Sequence, residues 1–152
     1  MSSALSACRH HALQQLSRRD HGQYELQQKL ALKGHPTDVI ELVINDCLAL
    51  GYLDDARYAA SQVRQTMSKG YGERHVRQQL KQKRIESAMI DQALAEQQVD
   101  WFALAKWVAH KKFPLGGSVE RQQYAKQVRY LQYRGFDFEQ IRYALQSNEG
   151  DE

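Results

Sequence analysis

Three ten-residue segments of this chain line up at a fixed period, and that repetition constrains the fold more than any other feature. They are ELQQKLALKG (Glu25–Gly34), HVRQQLKQKR (His75–Arg84) and KQVRYLQYRG (Lys126–Gly135), starting 50 and 51 residues apart. Each carries a leucine four residues before its last residue: Leu30, Leu80 and Leu131. Six residues beyond the segment each has an isoleucine (Ile40, Ile90, Ile141), and four further on an aliphatic (Ile44, Leu94, Leu145). Aliphatics at i, i+4 occur in any helical protein, but three sets at the same offsets argue for a repeated unit.

Each unit reads as helix, turn, helix, preceded by a further helix. With only 2 prolines and 9 glycines in 152 residues, there is little to interrupt helices and too few turns for an all-β fold. The expected fold is all-α: nine helices in three tandem three-helix repeats, about 4–53, 54–99 and 100–147, in one elongated, curved domain spanning 1–152. A unit of about 50 residues has a thin core, so stacking of neighbours supplies much of the burial.

Local signals place the helices. Helix 1 covers about 4–16, with Leu5, Cys8, Ala12 and Leu16 on one face. Helix 2 starts near Gly22, with Glu25 placed to reach back to a free N–H, and ends at Gly34. Helix 3 should bury Ile40, Val43, Ile44, Cys47 and Leu48. Asp54 or Asp55 caps helix 4 (about 55–68), which carries Ala59, Val63 and Met67 inward. Helices 5 and 6 follow at about 73–83 and 87–97. Asp100 caps helix 7 (101–112), where Trp101 and Trp107 are expected in the core, and 113–118 is a loop. Helix 8 (about 120–134) turns Tyr124, Val128 and Leu131 inward, and Asp137 with Gln140 forms a capping box for helix 9. The segment after Ser147 is expected to fray.

The chemistry of the sequence is sparse. GxSxG, GxxxxGK, HExxH and GxGxxG are all absent from it. Cys8, His10 and His11 lie close together, with Cys8 and His11 at i, i+3, and could be part of a metal site, but no fourth ligand accompanies them and Cys8 lies on an apolar face. No enzyme, cofactor or metal is expected. Two cysteines, no leader-like apolar segment and no 18-residue apolar run point to a cytoplasmic protein away from membranes.

Charge is where the sequence speaks. The net charge of +3 is concentrated: residues 1–54 carry −1, 55–99 carry +3 and 100–152 carry +1. Seven cations (Arg64, Lys69, Arg74, Arg77, Lys81, Lys83, Arg84) lie between Arg64 and Arg84 against one acid, Glu73. At about 100° per residue, Arg74, Arg77, Lys81 and Arg84 share one shoulder of helix 5, beside the buried seam of Val76 and Leu80. On helix 8, Lys126, Arg129, Tyr130 and Tyr133 share a second face, although Tyr133, close to Gly135, is expected to pack on a neighbour. Such faces suit phosphates, bases or an acidic protein groove. The partner-binding residues expected are Arg64, Lys69, Arg74, Arg77, Lys81, Lys83, Arg84, Lys126, Arg129 and Tyr130.

Four segments carry a resemblance. RDHGQYELQQKL (19–30), GYLDDARYA (51–59), KGYGERHVRQQLKQK (69–83) and YLQYRGFDFEQI (130–141) resemble, in order and spacing, the RecX family of bacterial regulators of the RecA recombinase. Gly22 departs from the serine cap frequent in that family. The resemblance implies a non-catalytic protein that lies in the helical groove of the recombinase–DNA filament, spans adjacent subunits and lowers ATPase, strand-exchange and coprotease activity; a monomer is expected. Two other classes remain open at this point. One is a basic helical module binding single- or double-stranded DNA without recombinase, whose affinity would fall steeply with salt. The other is a plain helical scaffold.

Overall fold

The computed structural model describes residues 3–114 and 120–146. They form nine helices and no strand: α1 Ser3–Arg18, α2 Gln23–Leu32, α3 Thr37–Ala49, α4 Asp55–Ser68, α5 Glu73–Gln82, α6 Ser87–Gln97, α7 Trp101–Lys112, α8 Arg121–Tyr133 and α9 Phe138–Leu145. None of these helices is long and apolar enough to cross a membrane.

The repeat is visible in how the helices stop. The last residue of each repeated segment takes the left-handed conformation: Gly34 at φ +91°, Arg84 at +57° and Gly135 at +102°. In each, the next residue's N–H bonds back to the carbonyl of the leucine at the shared offset: His35 to Leu30, Ile85 to Leu80 and Phe136 to Leu131, at 3.0–3.3 Å. This geometry satisfies carbonyls that the helix end leaves open. Glycine adopts it without penalty, whereas Arg84 carries a Cβ there, at a cost of about 1 kcal/mol. Its guanidinium recovers part of this by lying 4.2 Å above the Tyr24 ring.

Caps behave as local chemistry predicts. Asp100 accepts the Ala103 N–H, and Asp137 and Gln140 form the expected capping box. Asp54 accepts the Arg57 N–H at 3.1 Å and so caps α4. Asp55 does something else: its Oδ1 accepts the Gln23 N–H at 2.7 Å, serving the start of α2, where Gly22 offers no side chain.

The chain divides into two compact units, Met1–Ser61 with Leu80–Ala93, and Gln62–Gln79 with Leu94–Glu152. In the first, α1–α3 enclose Cys8, Ala12, Leu26, Leu30, Ile40, Val43, Ile44, Cys47 and Leu53. In the second, α7, α8 and α9 enclose Ala105, Val108, Ala109, Leu131, Phe136, Ile141 and Ala144. The alanines at 105 and 109 let α9 approach α7 closely. Trp101 packs against this core as expected, but Trp107 lies on the flank of α7 and is 52% exposed. Leu48 and Tyr124, expected inward, are 38% and 41% exposed, and Met67 is only half-buried. Leu48 sits in the last turn of α3 and Tyr124 in the first turn of α8. Periodicity assigns them a face but does not say whether a neighbouring helix reaches that end.

Candidate interaction surfaces

The first unit is organised around a buried carboxylate. Glu25 does not reach back to the helix start. It takes two bonds from Arg19, at 2.7 and 3.1 Å, and one from Lys83 at 3.4 Å. Burial alone pushes this carboxyl up, but the Arg19 hydrogen bonds and the charges of Arg19 and Lys83 outweigh it and hold it at about 2. The charge of Glu25 adds to burial in pushing the Tyr58 phenol up to about 12. His21 is buried, with Nδ1 at 3.1 Å from the Arg19 carbonyl and Nε2 at 2.9 Å from the Lys29 ammonium. Lys29 can only donate, so the ring is neutral, with its proton on Nδ1. Burial lowers its pKa, in keeping with that state. Gly22 packs under Tyr58 and Ile85, whose side chains a Cβ would meet at 3.3–3.4 Å. Arg57 ties this region further, to Asp20 and to the carbonyls of Gly51 and Tyr52. Cys8 is a buried thiol of the core, and the His11 ring is turned to His35 at 2.6 Å.

The second unit has a corresponding seam, made largely of backbone. The Gly72 N–H donates to the Arg134 carbonyl at 2.7 Å and the Arg74 N–H to the Gly135 carbonyl at 3.2 Å. A Cβ on Gly72 would lie 2.5 Å from the Gly135 carbonyl, so the two segments meet only because no side chain intervenes. Arg134 clamps the same place: it donates to the carbonyls of Lys69 and Gly70 and to the Tyr130 hydroxyl, and it lies 4.1 Å above the Tyr71 ring. Tyr71 in turn stacks on His75 at 4.0 Å. Burial and the Arg134 charge lower the His75 pKa.

These seams account for several of the cations read from the sequence. Lys83 holds Glu25, Arg84 is a helix terminator lying outside α5, and Arg77 holds Glu73 at 2.8 Å. They are not a free row on one shoulder. Arg74 donates to the Gln132 carbonyl, and with Arg77 it lines a cleft of about 230 Å³ that also contains Glu73 and Asp137. Arg64, Lys69, Lys81, Lys126 and Arg129 are exposed. Tyr130 is half-buried, edge-on to Phe113 at 5.5 Å, whereas Tyr133 is 88% exposed rather than packed.

Within the second unit, Lys69 and Tyr130 come together with residues the charge reading passed over. A groove of about 450 Å³ is lined by Lys69, Trp107, Lys111, Lys112, Tyr130 and Arg134, with Gly70 and Val108. Lys111 lies 4.8 Å above the Trp107 ring and Lys112 5.2 Å above Tyr130. The pair of lysines beside a tryptophan was the signal in the sequence; the assumption that Trp107 is core hid it.

Comparison with known proteins gives this architecture a family. The RecX first, second and third three-helix domains match residues 8–47, 54–94 and 98–145. The chain is 70% identical over 152 residues to the "Regulatory protein RecX" of Vibrio cholerae serotype O1, covering all of both chains. It is 35% identical to that of Halorhodospira halophila, covering 99% of this chain and 93% of the relative. A crystal structure of regulatory protein RecX superposes with a TM-score of 0.80 at 25% identity, covering 98% of this chain and 74% of the other. RecX from Lactobacillus salivarius gives 0.76 at 23%, covering 93% and 94%. With three domain matches in sequence order and full-length identity of this degree, the chain belongs to the RecX family.

Proposed function

We propose that this protein is a non-catalytic regulator of the RecA recombinase. It acts in the cytoplasm as a monomer, binds the recombinase filament on DNA across adjacent subunits, and lowers its ATPase, strand-exchange and coprotease activities. The observation that carries the reading is full-length 70% identity to a protein named as a regulatory RecX. The exposed cations Arg64, Lys69, Lys81, Lys126 and Arg129 support it, since a filament presents phosphates and acidic protein surface. Three helical units along residues 1–152 could engage several subunits at once, and linked weak contacts multiply affinity without one strong site.

The test is ATP hydrolysis by a preformed RecA filament on single-stranded DNA, with this protein well below the recombinase concentration. Hydrolysis should fall. A variant with Lys81, Lys126 and Arg129 each changed to Glu should keep its helical circular-dichroism signal and lose the inhibition. Undiminished hydrolysis at equal concentrations of the two proteins would sink the reading.

A further inference from the structure

We propose that the groove beside α7 is a binding site for one nucleotide of single-stranded nucleic acid, with the base stacked on Trp107 and the adjoining phosphates held by Lys69, Lys111 and Lys112. This goes beyond the recombinase reading and does not depend on it.

Trp107 is unusual in its exposure. A tryptophan on a helix that packs through alanines has apolar core available to it, yet this one is 52% exposed. It borders a concavity instead of a flat surface. The floor is Gly70, where a Cβ would come within 3.0 Å of Val108 and 3.9 Å of the Trp107 ring itself. Among the described residues, four cations and no acid line the groove. The contrast with the neighbouring cleft of the same unit is direct: there Arg74 and Arg77 face Glu73 and Asp137, so the positive field is cancelled.

The cations are not equivalent. Arg134 is committed to the Lys69 and Gly70 carbonyls and the Tyr130 hydroxyl, so it shapes the wall and adds charge without being free to move. Lys111 and Lys112 lie over aromatic rings, an interaction worth about 0.5–1 kcal/mol at an exposed site, which a phosphate readily replaces. A base entering over Trp107 would displace the Lys111 ammonium from the ring onto the phosphate beside it. The same event frees the ring face and supplies a counter-charge.

The ligand class follows from the combination. Lysines alone would suit any polyanion, but an exposed indole among them adds a platform for a flat aromatic group. In a duplex the base faces are already stacked on one another, so only a single strand offers both a free base and its phosphates. A volume of about 450 Å³ accommodates one nucleotide and no more than the edge of a second. An acidic peptide would satisfy the lysines but leave the indole without a planar partner.

The probe is a ten-nucleotide oligothymidylate, titrated into the full chain without recombinase. A Trp101→Phe background leaves Trp107 as the only tryptophan. Its fluorescence should be quenched on binding. Trp107→Leu should weaken binding by about ten-fold to a hundred-fold, the usual range for one base–aromatic stack. Lys111→Glu with Lys112→Glu should reduce the slope of log affinity against log salt by about 1.4, two phosphate contacts at ~0.7 each. Both sets of side chains are exposed, and an unchanged circular-dichroism spectrum confirms the fold. Binding that neither quenches Trp107 nor responds to these variants overturns the proposal. So does equal competition by polyglutamate, which would make the groove an acidic-peptide site. ATPase inhibition, measured in parallel, reads the recombinase proposal separately.

Discussion

Replacing Glu25 with glutamine keeps the shape of the side chain and one carbonyl acceptor but removes the charge that Arg19 and Lys83 share. A carboxyl held at about 2 instead of 4.5 contributes ~3 kcal/mol at neutral pH, at about 1.4 kcal/mol per pH unit. Glu25 itself is only 6% exposed. Its partners are less protected, with Arg19 and Lys83 side chains 40% and 41% exposed, so solvent screening trims the value to ~2–3 kcal/mol. The sign fixes the pH window. A carboxyl with a depressed folded-state pKa contributes its stability in full above 4.5 and loses it as pH falls from 4.5 to about 2. The difference between wild type and Glu25→Gln should therefore be about constant from pH 7 to pH 5 and shrink to roughly half by pH 3. Urea unfolding followed by helical circular dichroism at pH 7, 5, 4 and 3 measures it. A carboxyl-detected NMR titration of Glu25 reads the same pKa directly. A difference unchanged at pH 3, or a carboxyl titrating near 4.5, would refute the charge account and leave shape as the role of Glu25.

Three further outcomes are expected. Gly72→Ala places a Cβ 2.5 Å from a backbone carbonyl that has no room to move aside, and should cost ~2–3 kcal/mol by urea unfolding. Arg84→Gly should be within about 0.5 kcal/mol of wild type, because lost stacking on Tyr24 offsets relieved backbone strain, whereas Arg84→Ala keeps the strain without the stack and should fall ~1 kcal/mol below Arg84→Gly. His21 and His75 have pKa values lowered below the usual 6.5, chiefly by burial, so their contribution is full above 6.5 and is lost as pH falls through that value toward the folded-state pKa. The urea midpoint should drop between pH 7 and pH 5.5, and His21→Gln should flatten that drop.

What the sequence made legible was local. Helix ends at Gly34 and Gly135, the Asp100 cap and the Asp137–Gln140 box each depend on residues within one turn of each other, and all are present. The threefold period extended that reach, since it placed Arg84 in register with two glycines. Glu25 has a plausible local use at its own helix start, and Asp54 and Asp55 are locally equivalent as caps of α4, of which Asp54 takes the role. Glu25 instead takes Lys83, 58 residues on, and Asp55 serves Gln23, 32 residues back. The groove was hidden for the same reason: the end of α4, the last turn of α7 and α8 each contribute part of it. Charge counting found the cations but could not say which were already holding an acid or a carbonyl.

The two seams are made of the same four segments that carry the resemblance to RecX proteins. Arg19, Gly22, Glu25, Asp55 and Tyr58 meet in one, and Gly70, Gly72, Arg134 and Gly135 in the other. Kinship read from them therefore records how the helices are assembled. A descendant could exchange its partner altogether and keep every one of these residues. Another could keep its partner and lose its binding if only Lys81, Lys111 or Arg129 drifted. Divergence of function within this lineage is to be sought on exposed faces, and a survey of destabilising substitutions would rank Gly72 above the exposed lysines.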